Sequence, residues 1–212
     1  MSVVRILGVG VALGAVLTVG TACTVTTTTS SSSSTSSKPA SSTTTTSSAT
    51  STTTSSAPPS GAAPLGDYTY LLLQASDVGA DASATGAPVQ NPGGVAGAAV
   101  TFGNADRTRT IDDLVVVFTD PATAAQQAKE HASSFGKYVT ATPQPFQVGT
   151  NGLIAVGLSP DNSKAVTYVT FAEGRVGVDL EFDSAPNDPA PPDVVLELAR
   201  KQDSVVKDRL PS

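Results

Sequence analysis

The stretch KAVTYVTFAEGRVGVDLEFD, residues 164–183, decides the fold. In its second half Val176, Val178, Leu180 and Phe182 alternate with Gly177, Asp179, Glu181 and Asp183. That period of two is the mark of a strand with one buried face. The first half is rich in β-branched and aromatic residues, and Glu173-Gly174 reads as the turn between the halves. Closure through two residues sets Ala165, Thr167, Val169 and Phe171 across from the apolar set, so the core lies on that face.

Downstream, residues 188–192 lead into a helix that ends near Leu210. Val195, Leu198, Ala199, Val205 and Val206 fall on one side of it, and Lys201, Lys207 and Arg209 crowd its C-terminal half, where the helix dipole favours cations. Upstream, Asp120 can cap and Pro121 can open a second helix, with Ala124, Ala128, Ala132 and Phe135 as its buried stripe and Gly136 as its end. Residues 98–102 and 110–119 read as strands, the second covered on both faces because residues 114–118 are unbroken apolar. Residues 146–148 and 153–158 form a further strand pair around a Thr150-Asn151-Gly152 turn, and residues 68–74 a short helical turn. The order is α, β, β, α, a run of β, α. Consecutive hairpins predict an α+β domain, a mostly antiparallel sheet with helices packed on it.

This domain occupies residues 65–212. All 18 acidic residues lie in it against ten of the twelve basic ones, a formal net charge of −8. Such a surface repels nucleic acid and anionic headgroups alike. His131 is the only histidine, and no GxSxG motif accompanies it, so a hydrolase triad is disfavoured and an exposed helix position expected. One histidine and one cysteine cannot supply the three or four ligands of a zinc site. Asp179, Glu181 and Asp183 share a strand face and could bind calcium or work as an acid–base pair; a solvated face with Tyr168 and Lys164 opposite is the plainer reading. Asp112-Asp113 reads as the exposed start of a buried strand, and Asp161-Asn162 as a turn. Gly93, Gly94 and Gly97 precede a strand, the wrong order for a phosphate-binding loop. No cofactor is expected. Phe102, Phe118, Phe135, Phe146, Phe171 and Phe182 fall mostly on core faces, either as plain core or as the lining of an apolar cavity.

The first 64 residues fix an address. Residues 1–22 have the parts of a secretory signal: Arg5, an apolar centre, then Gly20, Thr21 and Ala22. Val19-Gly20-Thr21-Ala22-Cys23 resembles the bacterial lipobox, in which the cysteine thiol receives a lipid and a peptidase cleaves before it. The resemblance implies that Cys23, the sole cysteine, carries a lipid (palmitate among its acyl chains) and anchors the chain to the extracytoplasmic face of the cell membrane. Of the 33 residues 24–56, 28 are Ser or Thr. With Cys23 they begin a segment, residues 23–64, that reads as a disordered tether and a candidate for O-glycosylation; as a flexible chain it spans about 35 Å.

Lipobox, Ser/Thr/Pro tether and Trp-free domain together resemble the Lpp/Lpq-type envelope lipoproteins of mycobacteria and related actinobacteria. That likeness implies a small α+β domain similar to the extracellular sensor domains of envelope kinases, or a Mog1/PsbP-like one. The expected function is non-enzymatic binding of a lipid or small apolar molecule in the envelope. The alternative is an interaction protein that contacts envelope or host proteins through loops such as residues 80–97.

Overall fold

A computed structural model of the chain describes residues 61–211. The signal peptide, Cys23 and the tether as far as Ser60 lie outside them. In chain order the elements are a 3-10 turn Thr69–Leu71, α1 Ala75–Val78, β1 Ser83–Ala84, β2 Val89–Gln90, a 3-10 turn Pro92–Gly94, β3 Gly97–Gly103 and β4 Thr110–Val117. Then follow α2 Pro121–Ala132, a 3-10 turn Phe135–Lys137, β5 Gln144–Pro145, β6 Thr150–Leu158, β7 Ala165–Glu173, β8 Val176–Ser184 and α3 Pro192–Arg209. All eight strands join one antiparallel sheet in the order β1-β3-β4-β8-β7-β6-β5, with β2 also on β3. The expected α+β architecture is the observed one. No helix among the described residues is long and apolar enough to cross a membrane.

The hairpin forms the centre of the sheet. Phe171 pairs with Val178, Val169 with Leu180 and Thr167 with Phe182, which places the apolar set on the anticipated face. The turn is one residue later than expected: Glu173 pairs with Val176, and Gly174-Arg175 closes the loop, with Gly174 at φ 53°. Glycine takes that left-handed conformation without steric cost.

The two faces of the sheet are covered by different helices. On one, α3 and the segment around Leu71, Leu72 and Leu73 bury Val100, Phe102, Val115, Val117, Val169, Phe171, Val178 and Leu180 in the main core. On the other, Ala124, Ala128 and Ala132 of α2 approach β6, β7 and β8 closely, as small side chains permit. Asp120 caps α2 by accepting the Thr123 N–H at 2.9 Å, with Pro121 in the first turn. The helix stops at Ala132, and the following 3-10 turn, rather than α2 itself, carries Phe135 into the interior.

Two sequence readings of strands need correction. Residues 114–118 are not covered on both faces, because Leu114 and Val116 are half-buried while Val115 and Val117 are fully enclosed. One helix covers only two or three strands spaced about 4.8 Å apart, and α2 lies over β6–β8 rather than β4. Thr150-Asn151-Gly152 is not a turn between strands but the start of β6. There Asn151 adopts φ 54° and the register with β7 shifts between Thr150 and Leu153. A bulge and a turn share the same local requirement for a left-handed residue.

The sheet edges are occupied. Short β1 and β2, within the segment read as a loop, pair along β3, and β5 pairs on β6. Gly61 and Ala63, upstream of Leu65, also bond to the sheet region: the Gly61 carbonyl accepts from Thr119 N–H and the Ala63 N–H donates to the Val117 carbonyl, at 2.8 and 2.9 Å.

Candidate functional site

Phe102 on β3, Ile111 on β4 and Phe182 on β8 lie side by side across three strands, as one rung at the end of the α3-covered face. α3 begins at Pro192, and beside that rung, where Phe102 and Phe182 are nearly enclosed and Ile111 is partly exposed, a gap remains between its first turn and residues 78–82. The gap is an open apolar cleft of about 240 Å³. Phe102, Ile111 and Phe182 line it, residues 78–82 form one wall, and Ala190, Pro191 and Val194 form the other. Arg109, one of its lining residues, donates from Nη2 to Asp188 Oδ2 at 2.5 Å, both side chains about half exposed. A pair so exposed contributes little stability. Ser184 Oγ fixes the same loop by donating to the Asp188 carbonyl at 2.6 Å. Two of the six phenylalanines thus serve core and cavity at once. The volume lies below the usual range for ligand sites, about 300–1,000 Å³, and suits a short alkyl chain or a single ring.

One rung further in, Val100, Asp113 and Leu180 are neighbours on the same face. The reading of Asp112-Asp113 as an exposed strand start is therefore wrong. Both lie inside β4, and Asp113 is fully buried. Burial pushes its carboxyl up to about 7, against the opposing effect of the Leu73 N–H, which donates to Oδ2 at 2.8 Å. From α3, the equally buried Gln202 donates through Nε2 to the Leu71 carbonyl at 2.8 Å. Sequence reasoning misread Asp113 and missed Gln202. Their signal was position: Asp113 alternates with Ile111, Val115 and Val117, and Gln202 sits within the Leu198–Val206 stripe.

The opposite face holds a polar cluster. His131 is not an exposed helix position: its Nδ1 lies 3.0 Å from each oxygen of Asp179, with only about a quarter of the side chain accessible. Its ring meets Phe135, Tyr138 and Tyr168 edge-on at centroid distances of 6.2, 6.3 and 5.8 Å. Burial lowers the imidazole's affinity for a proton, but the charge and hydrogen bond of Asp179 outweigh it, and the net shift is upward. Nor are Asp179, Glu181 and Asp183 a solvated face. Asp179 is buried, and burial pushes Glu181 up to about 7 with help from the charges of Asp183 and Asp112. Burial likewise raises Asp112, which accepts a hydrogen bond from the Thr101 hydroxyl. Lys164 pairs with Asp183, although the shifted turn sets Val166 rather than Lys164 directly across from it.

This cluster ties α2 to the sheet. The serines that follow His131 are committed elsewhere, Ser133 Oγ donating to the Glu130 carbonyl and Ser134 Oγ to that of His131. Among the described residues, no group of three or more His, Cys, Asp or Glu is placed to hold a metal ion. Asp161 sits in a turn, accepting from Ser159 Oγ at 2.6 Å and from Ser163 N–H at 3.1 Å, and these bonds hold its carboxyl at about 2. Cys23 lies outside the described residues.

No protein-family model matches the sequence, and no curated protein does. Among solved structures, the chain is similar to the extracellular domain of PknH from Mycobacterium tuberculosis, with a TM-score of 0.51 and 12% identity. The match covers 69% of this chain and all of that domain. At this identity the likeness is one of fold: an antiparallel sheet with helices on it, of a kind also used as an extracellular domain.

Proposed function

We propose that the chain is an extracytoplasmic lipoprotein, anchored through Cys23, whose domain binds a short acyl chain or similarly small apolar molecule without catalysing a reaction. The observation that carries this reading is the apolar cleft over Phe102, Ile111 and Phe182, left open between the first turn of α3 and residues 78–82. At this gap Ile111 and Val194 keep apolar surface wet until a ligand covers it, at about 25 cal/mol per Å² regained. The signal, the lipobox-like segment and the Ser/Thr tether support the address. The acidic domain supports an uncharged or weakly polar occupant over nucleic acid.

The test is native mass spectrometry of the whole chain purified from an actinobacterial host. Adducts in the mass range of short lipids, lost on denaturation and lost in a cleft-filling variant, support the reading. A bare mass under gentle conditions, with no uptake of added short-chain alcohols, overturns it. A second reading, an interaction module, is favoured by Val89 on the edge strand β2, 43% exposed within the 80–97 segment. Cross-linking from that position to envelope proteins would support it.

A further inference from the structure

The segment Leu71-Leu72-Leu73 is almost fully buried and held at two backbone atoms, the Leu71 carbonyl by Gln202 Nε2 and the Leu73 N–H by Asp113 Oδ2. Leu72 between them is extended, at φ −80° and ψ 155°. Across an extended residue, the carbonyl before and the N–H after lie on one edge of the chain. Gln202 and Asp113 therefore take neighbouring places on the same edge, one from α3 and one from β4.

Each has one oxygen to spare. Asp113 Oδ1 and Gln202 Oε1 are both buried without a hydrogen-bond partner. The orientation of the Gln202 amide is set, since the Leu71 carbonyl can only accept, so Oε1 must be the free atom. Two enclosed acceptors with no donor are costly. A single proton on the carboxyl removes the conflict, because a protonated carboxyl donates.

We propose that Asp113 is held as the neutral acid with its Oδ1 proton donated to Gln202 Oε1, and that losing this proton unlatches the segment leading to one wall of the cleft. The chain runs from Leu73 through Gln74 and α1 directly into residues 78–82, the wall that faces Val194. The inference rests on the cleft being the ligand site. It makes occupancy of that site depend on protons, high in acid and falling above neutrality.

The surroundings of Asp113 carry no charge to offset its own. β3 and β8 present Val100 and Leu180 at its rung. On α3 the neighbours of Gln202 turn away, Lys201 to Asp77 of α1 at 3.2 Å and Asp203 to Lys207 at 2.6 Å. Asp67, before the 3-10 turn, is exposed and bonded to Thr69. Asp112, Asp179 and Glu181 occupy the opposite face of the sheet.

The test uses the full chain, the neutral fluorophore N-phenyl-1-naphthylamine, and Asp113→Asn, whose amide offers the donor at every pH. With the carboxyl at about 7, the neutral fraction falls from roughly nine-tenths at pH 6 to one-tenth at pH 8. Probe affinity of the wild type should then weaken about tenfold over that interval if the neutral form alone binds, and that of the variant should not change. Glu181 and His131 titrate in both proteins, so the comparison isolates Asp113. Two readouts do not depend on the variant folding or on the probe. The wild type should show an infrared band of a buried protonated carboxyl at pH 6 that is gone at pH 8.5. The Gln202 side-chain amide should also exchange faster at the higher pH after correction for base catalysis. Absence of the band at pH 6, or equal pH dependence in wild type and variant, overturns the latch. If band and exchange behave as stated while the probe binds at neither pH, the latch stands and the cleft reading fails.

Discussion

His131 on α2 and Asp179 on β8 form an ion pair, Nδ1 lying 3.0 Å from both carboxylate oxygens, inside a ring of Phe135, Tyr138 and Tyr168. It joins α2 to the centre of the sheet. The imidazole's proton affinity is raised in the folded chain, so the stabilisation is complete below the ordinary histidine value of 6.5 and is lost as pH rises through the higher folded value. We expect His131→Gln to lower unfolding free energy by about 1–3 kcal/mol at pH 5.5 and by clearly less at pH 8.5, in urea titrations. Equal losses at both values would show packing, rather than charge, to be what the pair contributes. Asp179→Asn should move the His131 titration, followed by NMR, to lower pH.

Why the sequence misjudged this site is instructive. A histidine between Glu130 and Ala132 on an Ala-rich helix looks solvated, since nothing local says that the 3-10 turn after Ala132 folds Phe135 and Tyr138 around it. The hairpin was legible because its alternation has one cause, Val176, Val178, Leu180 and Phe182 of β8 all entering the main core. Asp113 was hidden by its neighbour: two acids in a row suggest surface, although period two puts one of them in line with Val115 and Val117. A cavity was legible only as an alternative to plain core for the phenylalanines, and its place in the fold was not. It is a gap between residues 78–82, the Phe102–Ile111 rung and the start of α3, and no periodicity encodes the absence of a side chain.

Gly152 tests the corrected reading of β6. A turn glycine tolerates alanine when its φ is ordinary, but a Cβ here would lie 2.3 Å from the Val148 carbonyl oxygen and 2.4 Å from that of Phe146. Both are backbone atoms, and the Phe146 N–H already donates to the Gly152 carbonyl at 2.8 Å. Gly152→Ala should destabilise the fold by about 1–3 kcal/mol through forced backbone displacement, measured by chemical denaturation. A neutral effect would restore the simple turn.

Glu181 offers a charge prediction with a definite sign. Burial raises its carboxyl to about 7, and the Asp183 and Asp112 charges add to the shift. A raised carboxyl contributes fully below its unfolded value and loses that contribution as pH climbs to the folded one. Glu181→Gln removes the loss. It should leave stability at pH 4 nearly unchanged and increase it at pH 8 by about 1–3 kcal/mol, visible as a flatter profile of melting temperature against pH. A variant less stable at both values would mean that the carboxylate makes a needed bond in the folded chain.

Val194 separates the cleft from the core. It lines the cavity from the first turn of α3 yet is 38% exposed, so enlarging it need not disturb the packed residues beneath. Val194→Trp should project a ring over Phe102 and Phe182 and occupy much of the 240 Å³. Surface substitutions of this kind change stability by about 0.5 kcal/mol or less. Uptake of an apolar fluorophore, in contrast, should fall at least tenfold, since the site is filled by the protein itself. Unchanged uptake with unchanged stability would move the binding surface away from the cleft and toward the exposed edge at Val89.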